Sequence, residues 1–205
     1  MMKQENQLHT LISLDDFMSL LGVDDREDKT ARFCLVTSTC TIEQYCKRRL
    51  LRRKHFERIE YIGNLFLPLR EYPVSKIFAA FAMSNEQGEM NNGEMIEPEY
   101  YRVIPDLDCF EDLPYSIELS PALYRYRGLS AIKVIYSAGY STGNVPPDLA
   151  SACLELAAWN MNRYRGRRIG MTGNVRGTGK EGEHFEMSMP ENVKLLIEPY
   201  RRRTI

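Results

Sequence analysis

The chain has 205 residues, 27 Lys and Arg against 28 Asp and Glu, a formal net charge of −1, and 43% hydrophobic and 27% charged residues. These values match ordinary globular proteins and exclude wholesale disorder, collagen-like repetition and a coiled-coil rod. The length suits one domain, or one domain with an insertion, and balanced charge argues against a surface that coats nucleic acid everywhere.

The first ten residues read as a mobile arm, extending to about residue 12. Ser13 is an N-cap for a short helix, Leu14–Leu21, that Gly22 can end. Acidic Asp24–Asp28 opens a longer helix, because carboxylates favour the positive helix N-terminus. Its Ala31, Leu35, Ser38, Ile42 and Tyr45 share one face, and it ends near Arg48. Phe56, Ile59, Tyr61, Ile62, Leu65, Phe66 and Leu67 around Gly63-Asn64 predict a hairpin. Pro73 leads into a strand at Val74–Met83, and Gln87–Gly93 reads as a turn. Tyr100–Ile104, Tyr115–Leu119 and Ile132–Ser137 are further strands. Asp148 is placed as the cap of the strongest helix, Leu149–Tyr164, behind Pro146 and Pro147. Gly166–Ser188 is glycine-rich and expected to be a mobile loop, and a last helix covers Pro190 to Ile197. The order predicts an α+β fold: two N-terminal and two C-terminal helices around an antiparallel β-rich insertion at about 52–138, all within one domain at 13–205.

No stretch approaches the ~20 apolar residues of a membrane helix, and the polar start MMKQENQLHTL does not read as a secretory signal. The expected compartment is the cytoplasm. Cys34, Cys40 and Cys46 are six apart, each step turning a helical side chain by about 240°, so they cannot share one metal ion. Cys109 and Cys153 stand apart, and the odd count without a CxxC pair predicts reduced, mostly buried thiols.

Catalytic chemistry is hard to find. Gly177-Thr178-Gly179-Lys180 resembles part of a phosphate-binding loop, but Asn174 and Glu181 stand where a glycine and a hydroxyl are required. His9, His55 and His184 have no carboxylate or cysteine at ligand spacing. Glu111-Asp112 would point to opposite faces of a strand. The reading is therefore no enzyme, no cofactor and no metal.

Charge is balanced only in sum. Lys47, Arg48, Arg49, Arg52, Arg53, Lys54 and Arg58 form a basic run, opposed only by Glu57. Residues 86–118 are strongly acidic. Arg163, Arg165, Arg167 and Arg168 close the strong helix, and Arg201, Arg202 and Arg203 close the chain. Basic helix ends can simply complement the helix dipole. They can also face phosphates or the acidic surface of a neighbour, as in head-to-tail rings. Trp159, the sole tryptophan, lies with Ser151, Glu155 and Asn162 on the polar stripe of its helix. Such a residue is either half-buried at an edge or an interface anchor.

Six blocks in order carry a resemblance. They are Cys40–Cys46 (CTIEQYC), Leu69–Val74 (LREYPV), Ile132–Gly139 (IKVIYSAG), Val145–Leu149 (VPPDL), Arg163–Gly170 (RYRGRRIG) and Met189–Arg203 (MPENVKLLIEPYRRR). Together they resemble the tailed-phage head–tail connector proteins, also called head-completion or adaptor proteins, of phages and prophages. The resemblance implies a ring of about twelve copies below the portal, which extends the channel for packaged double-stranded DNA. It also implies a docking surface for a tail or stopper protein, assembly in the bacterial host cytoplasm, residence at the virion head–tail junction and no membrane partner. On this reading Arg163, Arg165, Arg167, Arg168, Arg176 and Lys180 are candidates to line the channel or an interface. Trp159, Glu155, Tyr200, Arg201, Arg202 and Arg203 are candidates for subunit or portal contacts. The alternative is a sequence-nonspecific DNA-binding protein using clusters 47–58 and 163–168.

Overall fold

A computed structural model describes residues 9–84, 93–105, 114–125, 129–166 and 189–202. The chain is α+β and divides into two compact units, Met1–Lys47 with Thr142–Ile205, and Arg48–Ser141. Expectations for Gln87–Asn92, Glu111-Asp112, Cys109, the 177–180 motif, His184 and the 167–188 loop lie outside the described residues.

The first unit is helical. In α1 (Leu14–Leu21), the Ser13 side chain accepts the Asp16 N–H, and Gly22 closes the helix at φ 59°. A left-handed residue costs a glycine little, which is why the helix stops there. One 3₁₀ turn at Asp25–Glu27, capped by the Asp24 side chain, leads into α2 (Asp28–Cys46). Along α2, Ala31, Leu35, Ser38 and Ile42 are buried as the spacing predicts, while Tyr45 is only half-buried. Helix α3 (Pro147–Arg165) turns Leu149, Ala152, Cys153, Leu156, Ala157 and Met161 inward against α2 and against α4 (Glu191–Ile197). Pro146, not Asp148, holds the cap position. Two prolines preset the extended entry, so the helix begins at Pro147 and Asp148 falls in its first turn. The packed chain also starts before Ser13. Thr10 and Leu11 are buried, and the Leu11 amide donates to Thr39 Oγ1 at 3.3 Å.

Among its described residues the second unit holds seven strands: β1 (Arg53–Glu60), β2 (Phe66–Pro68), β3 (Val74–Ser84), β4 (Glu94–Ile96), β5 (Tyr101–Pro105), β6 (Pro114–Leu119) and β7 (Leu129–Ala138). They form two antiparallel sheets, ordered β1-β7-β3-β4 and β2-β6-β5. The hairpin expected around Gly63-Asn64 does not form. Strand β1 pairs with β7 from Arg53↔Ala138 to Glu60↔Ala131, and β2 pairs with β6. The physical reason is partner length. The ten-residue β7 satisfies all of β1, whereas β2 offers only three residues. Gly63, at φ 93°, sits where the chain passes from one sheet to the other.

Alternation along β7 fixes the inner face: Ile132, Val134 and Tyr136 are buried, and Lys133 and Ile135 less so. With them pack Leu67, Leu69, Val74, Ile96, Ile117, Leu119 and Leu123. Each such fully buried aliphatic side chain contributes about 1.5–3 kcal/mol. A polar knot crosses this core. The Tyr136 hydroxyl donates to Glu57 Oε2 at 2.7 Å and accepts the Glu71 amide at 3.2 Å. Glu57 Oε2 also accepts the Arg70 amide at 3.1 Å, and Glu71 Oε2 accepts the Arg49 amide at 2.7 Å. Gly139 (φ 102°) finishes β7, where a Cβ would lie 2.7 Å from the Leu50 and Leu51 carbonyl oxygens. Only glycine lets the two segments meet so closely, bridged by Tyr140 N–H to Leu50 O at 2.7 Å and Arg52 N–H to Tyr140 O at 2.8 Å.

Candidate functional site

The candidate site is built from side-chain ties and surfaces. Among the described residues, no group of three or more His, Cys, Asp or Glu side chains could hold a metal ion. None of the described helices is long and apolar enough to cross a membrane. His55 packs on the Tyr136 ring at 5.5 Å between centroids, and burial pulls its imidazole below the usual range.

The arginine end of α3 is partly committed inside the helical unit. Arg165 forms a two-point pair with Glu27, Nε to Oε1 at 2.9 Å and Nη2 to Oε2 at 2.5 Å. The guanidinium beside it holds the Glu27 carboxyl below the ordinary carboxylate range. Arg163 lies over the Trp159 ring at 4.6 Å, and both side chains are half-buried. Glu155 accepts a bond from the Asn192 side-chain amide, which ties α3 to the start of α4. Trp159 and Glu155 therefore occupy a half-covered stripe. Arg167, Arg168, Arg176, Lys180 and Arg203 lie outside the described residues.

The C-terminal block folds back onto the helices. Tyr200 is buried, and its hydroxyl donates to Asp148 at 2.6 Å, so it is a packing residue of this unit. Tyr45 donates to Glu198 at 2.7 Å, which lowers the carboxyl's pKa and raises the phenol's. Arg201 pairs with Glu198 at 3.3 Å and lies 5.7 Å from the Tyr45 ring centroid. The Arg202 amide donates to the Cys46 carbonyl at 2.8 Å. Three blocks far apart in sequence, CTIEQYC, VPPDL and MPENVKLLIEPYRRR, thus meet in one helical unit. The LREYPV and IKVIYSAG blocks meet likewise in the β unit, through Glu71 and Tyr136.

The basic run 47–58 is not one surface. Lys47 caps α2 in the left-handed region at φ 54°. Arg48 is 3% exposed, stacks on Tyr72 at 3.6 Å and donates to the Tyr72 carbonyl at 3.0 Å. It cannot reach phosphates, so the 47–58 cluster of the DNA-binding alternative loses continuity. Beyond it, strand alternation takes over. Lys54, Phe56 and Arg58 point outward from β1.

That outward face was missed in the sequence. Phe56 is 65% exposed and Phe78, on β3, 47%. Lys54 Nζ lies 5.4 Å from the Phe56 ring centroid and 5.1 Å from that of Phe78, and Lys76 Nζ lies 5.5 Å from Phe78. Arg58 stands directly opposite Lys133 in the β1–β7 register. The alternation of Lys54, Phe56 and Arg58 was the available signal. Reading Phe56 as half of a hairpin core hid it.

Comparison with known proteins gives a fold. No family model and no curated protein sequence matches the chain. Similar solved structures are a chain in the neck of an empty gene transfer agent (GTA) particle computed with C6 symmetry and one in the virion of a native GTA particle. The first has TM-score 0.58 and 19% identity, the second 0.57 and 18%, and each alignment covers 94% of this chain and 90% of that one. A chain in the neck of a native GTA particle computed with C12 symmetry aligns over 100% of this chain and 94% of its own, at TM-score 0.53 and 19% identity.

Proposed function

We propose that the chain is a structural neck subunit of a phage-type particle: a head–tail adaptor that assembles below the portal and offers the next component its docking surface. The observation that carries the reading is the fold likeness to GTA neck chains, which spans both units rather than a shared fragment. The sequence blocks support it independently. Five of the six blocks that carry the connector resemblance supply ties that hold the units together, among them Tyr200 to Asp148 and the Glu71 amide to Tyr136.

In this reading about twelve copies close a ring by one repeated contact between unlike patches. The ring surrounds packaged double-stranded DNA at the head–tail junction, and assembly takes place in the host cytoplasm. Arg163, Arg165 and the arginines and lysine at 167, 168, 176 and 180 are the proposed channel or interface residues. Trp159, Glu155, Arg201, Arg202 and Arg203 are the proposed contacts with neighbours or portal. No enzymatic step is assigned.

The test is reconstitution of the full chain with the portal protein of the same particle, followed by electron microscopy. A closed ring bound coaxially to the portal is the expected result. A chain that stays monomeric with the portal at all concentrations and salt levels would refute the reading. Steep salt-dependent binding to duplex DNA without any self-association would favour the nonspecific DNA-binding alternative instead.

A further inference from the structure

The outer face of the four-stranded sheet has a charge problem. Lys54, Arg58, Lys76 and Lys133 point from three adjacent strands to one side, around exposed Phe56 and Phe78. Arg58 and Lys133 are direct cross-strand partners. Like charges placed so are destabilising, and among the described residues none of the four cations has an ion pair. A cationic rim around apolar rings calls for a partner that brings acid and apolar surface together.

The same chain carries such a surface on its other unit. Around α1, Asp15, Asp16, Asp24 and Asp25 are exposed beside Leu20, which is 68% exposed, and Leu21, 38%. The neighbouring Glu27 and Asp28 are committed to Arg165 and Arg32. None of the four aspartates is in an ion pair among the described residues: Asp16 accepts the Ser13 hydroxyl, Asp24 caps the 3₁₀ turn, and Asp15 lies close enough to Arg32 to raise its pKa.

We infer that the cationic, phenylalanine-bearing face of the β1-β7-β3 sheet is the docking site for the acidic, leucine-bearing α1 end of a second copy of this chain. The contact joins two different patches, so it is heterologous and propagates head to tail, closing wherever the rotation per copy allows. It rests on the neck-subunit reading and names the surfaces that reading leaves open. The leucines cover the exposed rings, and the aspartates neutralise the Arg58–Lys133 pair.

Two experiments on the full chain test it. First, isotopically light and heavy protein are mixed and treated with a carbodiimide, which joins lysine amines to carboxylates in contact, and the cross-linked peptides are identified by mass spectrometry. Mixed light–heavy links from Lys54, Lys76 or Lys133 to Asp15, Asp16, Asp24 or Asp25 are expected. Links from those lysines only to other acids, such as Glu97 and Glu99, would overturn the inference, as would their absence.

Second, Lys54→Glu with Lys133→Glu forms one variant and Asp15→Lys with Asp25→Lys another. Each alone should associate at least tenfold more weakly than the parent chain in sedimentation. Mixing the two should restore association, because opposite patches again face each other. That rescue also shows both variants are folded. Rings that form on the portal unchanged by either reversal would overturn this inference and leave the neck reading intact. No ring from the parent chain, while the mixed variants still bind each other, would overturn the neck reading and leave the contact.

Discussion

Replacing Tyr136 by Phe isolates the polar knot of the β unit. Tyr136 is fully buried, so the phenylalanine ring keeps its packing and only the hydroxyl is lost. That hydroxyl has two bonds. It donates to a carboxylate, Glu57, at 2.7 Å, and it accepts the Glu71 amide at 3.2 Å. A bond to a charged partner is worth about 1.5–3 kcal/mol, and a buried amide left unpaired costs about 1–3 kcal/mol. The two are not additive, because Glu57 keeps the Arg70 amide at 3.1 Å. We therefore expect a loss of about 2–3 kcal/mol, with a midpoint about 4–12 °C lower for a chain of this size. Far-ultraviolet circular dichroism during urea unfolding measures the loss. Hydrogen exchange at the Glu71 amide should quicken in the same variant. A loss below about 0.5 kcal/mol, the usual scale of an unconstrained surface change, with Glu71 exchange unaltered, would refute the network.

Other expectations follow from the same geometry. Gly139→Ala should cost about 2–4 kcal/mol, because the left-handed penalty is joined by a clash with the Leu50 and Leu51 backbone. Gly22→Ala, at φ 59° with no atom within 4 Å, should cost only about 1–2 kcal/mol, and equal losses for the two in denaturation would discount the clash. Cys40 should react with iodoacetamide in the native protein at pH 8 while Cys34, Cys46 and Cys153 react only after unfolding, as peptide mass spectrometry would register. Burial pushes the Cys34 and Cys153 thiols up to about 11 from an ordinary 9.0, opposed at Cys153 by the Thr39 hydroxyl and the Leu11 and Ile12 amides. The unfolded chain then gives up those protons first, so stability present below pH 9 is lost as pH rises from 9 through 11. A loss just as large in Cys34→Ala would assign it to other groups. Arg165→Ala should cost under about 1 kcal/mol, since its pair with Glu27 is largely exposed; a loss above about 2 kcal/mol in denaturation would mean the pair organises the helices.

Much of the fold is legible in the residues because its signals are local. Ser13 and Gly22 bracket α1, and Ile132, Val134 and Tyr136 give β7 its inner face by simple alternation. The failures are non-local. Gly63-Asn64 carries a true turn signal, but nothing in the neighbouring residues reveals that β1 finds a longer partner some seventy positions away, an order of separation that local pattern cannot encode. Asp148 is a good cap by type, and it loses the cap position to Pro146 because two prolines fix the backbone first. Tyr200 is buried because Asp148, fifty-two residues upstream, takes its hydroxyl, and no spacing rule connects the two.

The basic residues repeat the lesson at the surface. Read along the chain, Lys47 to Arg58 is one cluster with one meaning. In the structure the cluster separates by geometry: Lys47 closes a helix, Arg48 is buried on Tyr72, and Lys54 and Arg58 reach the outer sheet face. That face is completed by Lys76 and Lys133, which belong to no basic run and draw no attention in sequence. Two cations forced into register as Arg58 and Lys133 are, with phenylalanines exposed beside them, cost stability in the isolated chain. A protein held together by so many internal ties, from Tyr136 and Glu57 to Tyr200 and Asp148, has no folding reason to keep that pair. The expense is explained by a neighbour whose acid and leucine side chains offset it, and the near-zero net charge then describes a chain whose unlike patches complement each other between copies.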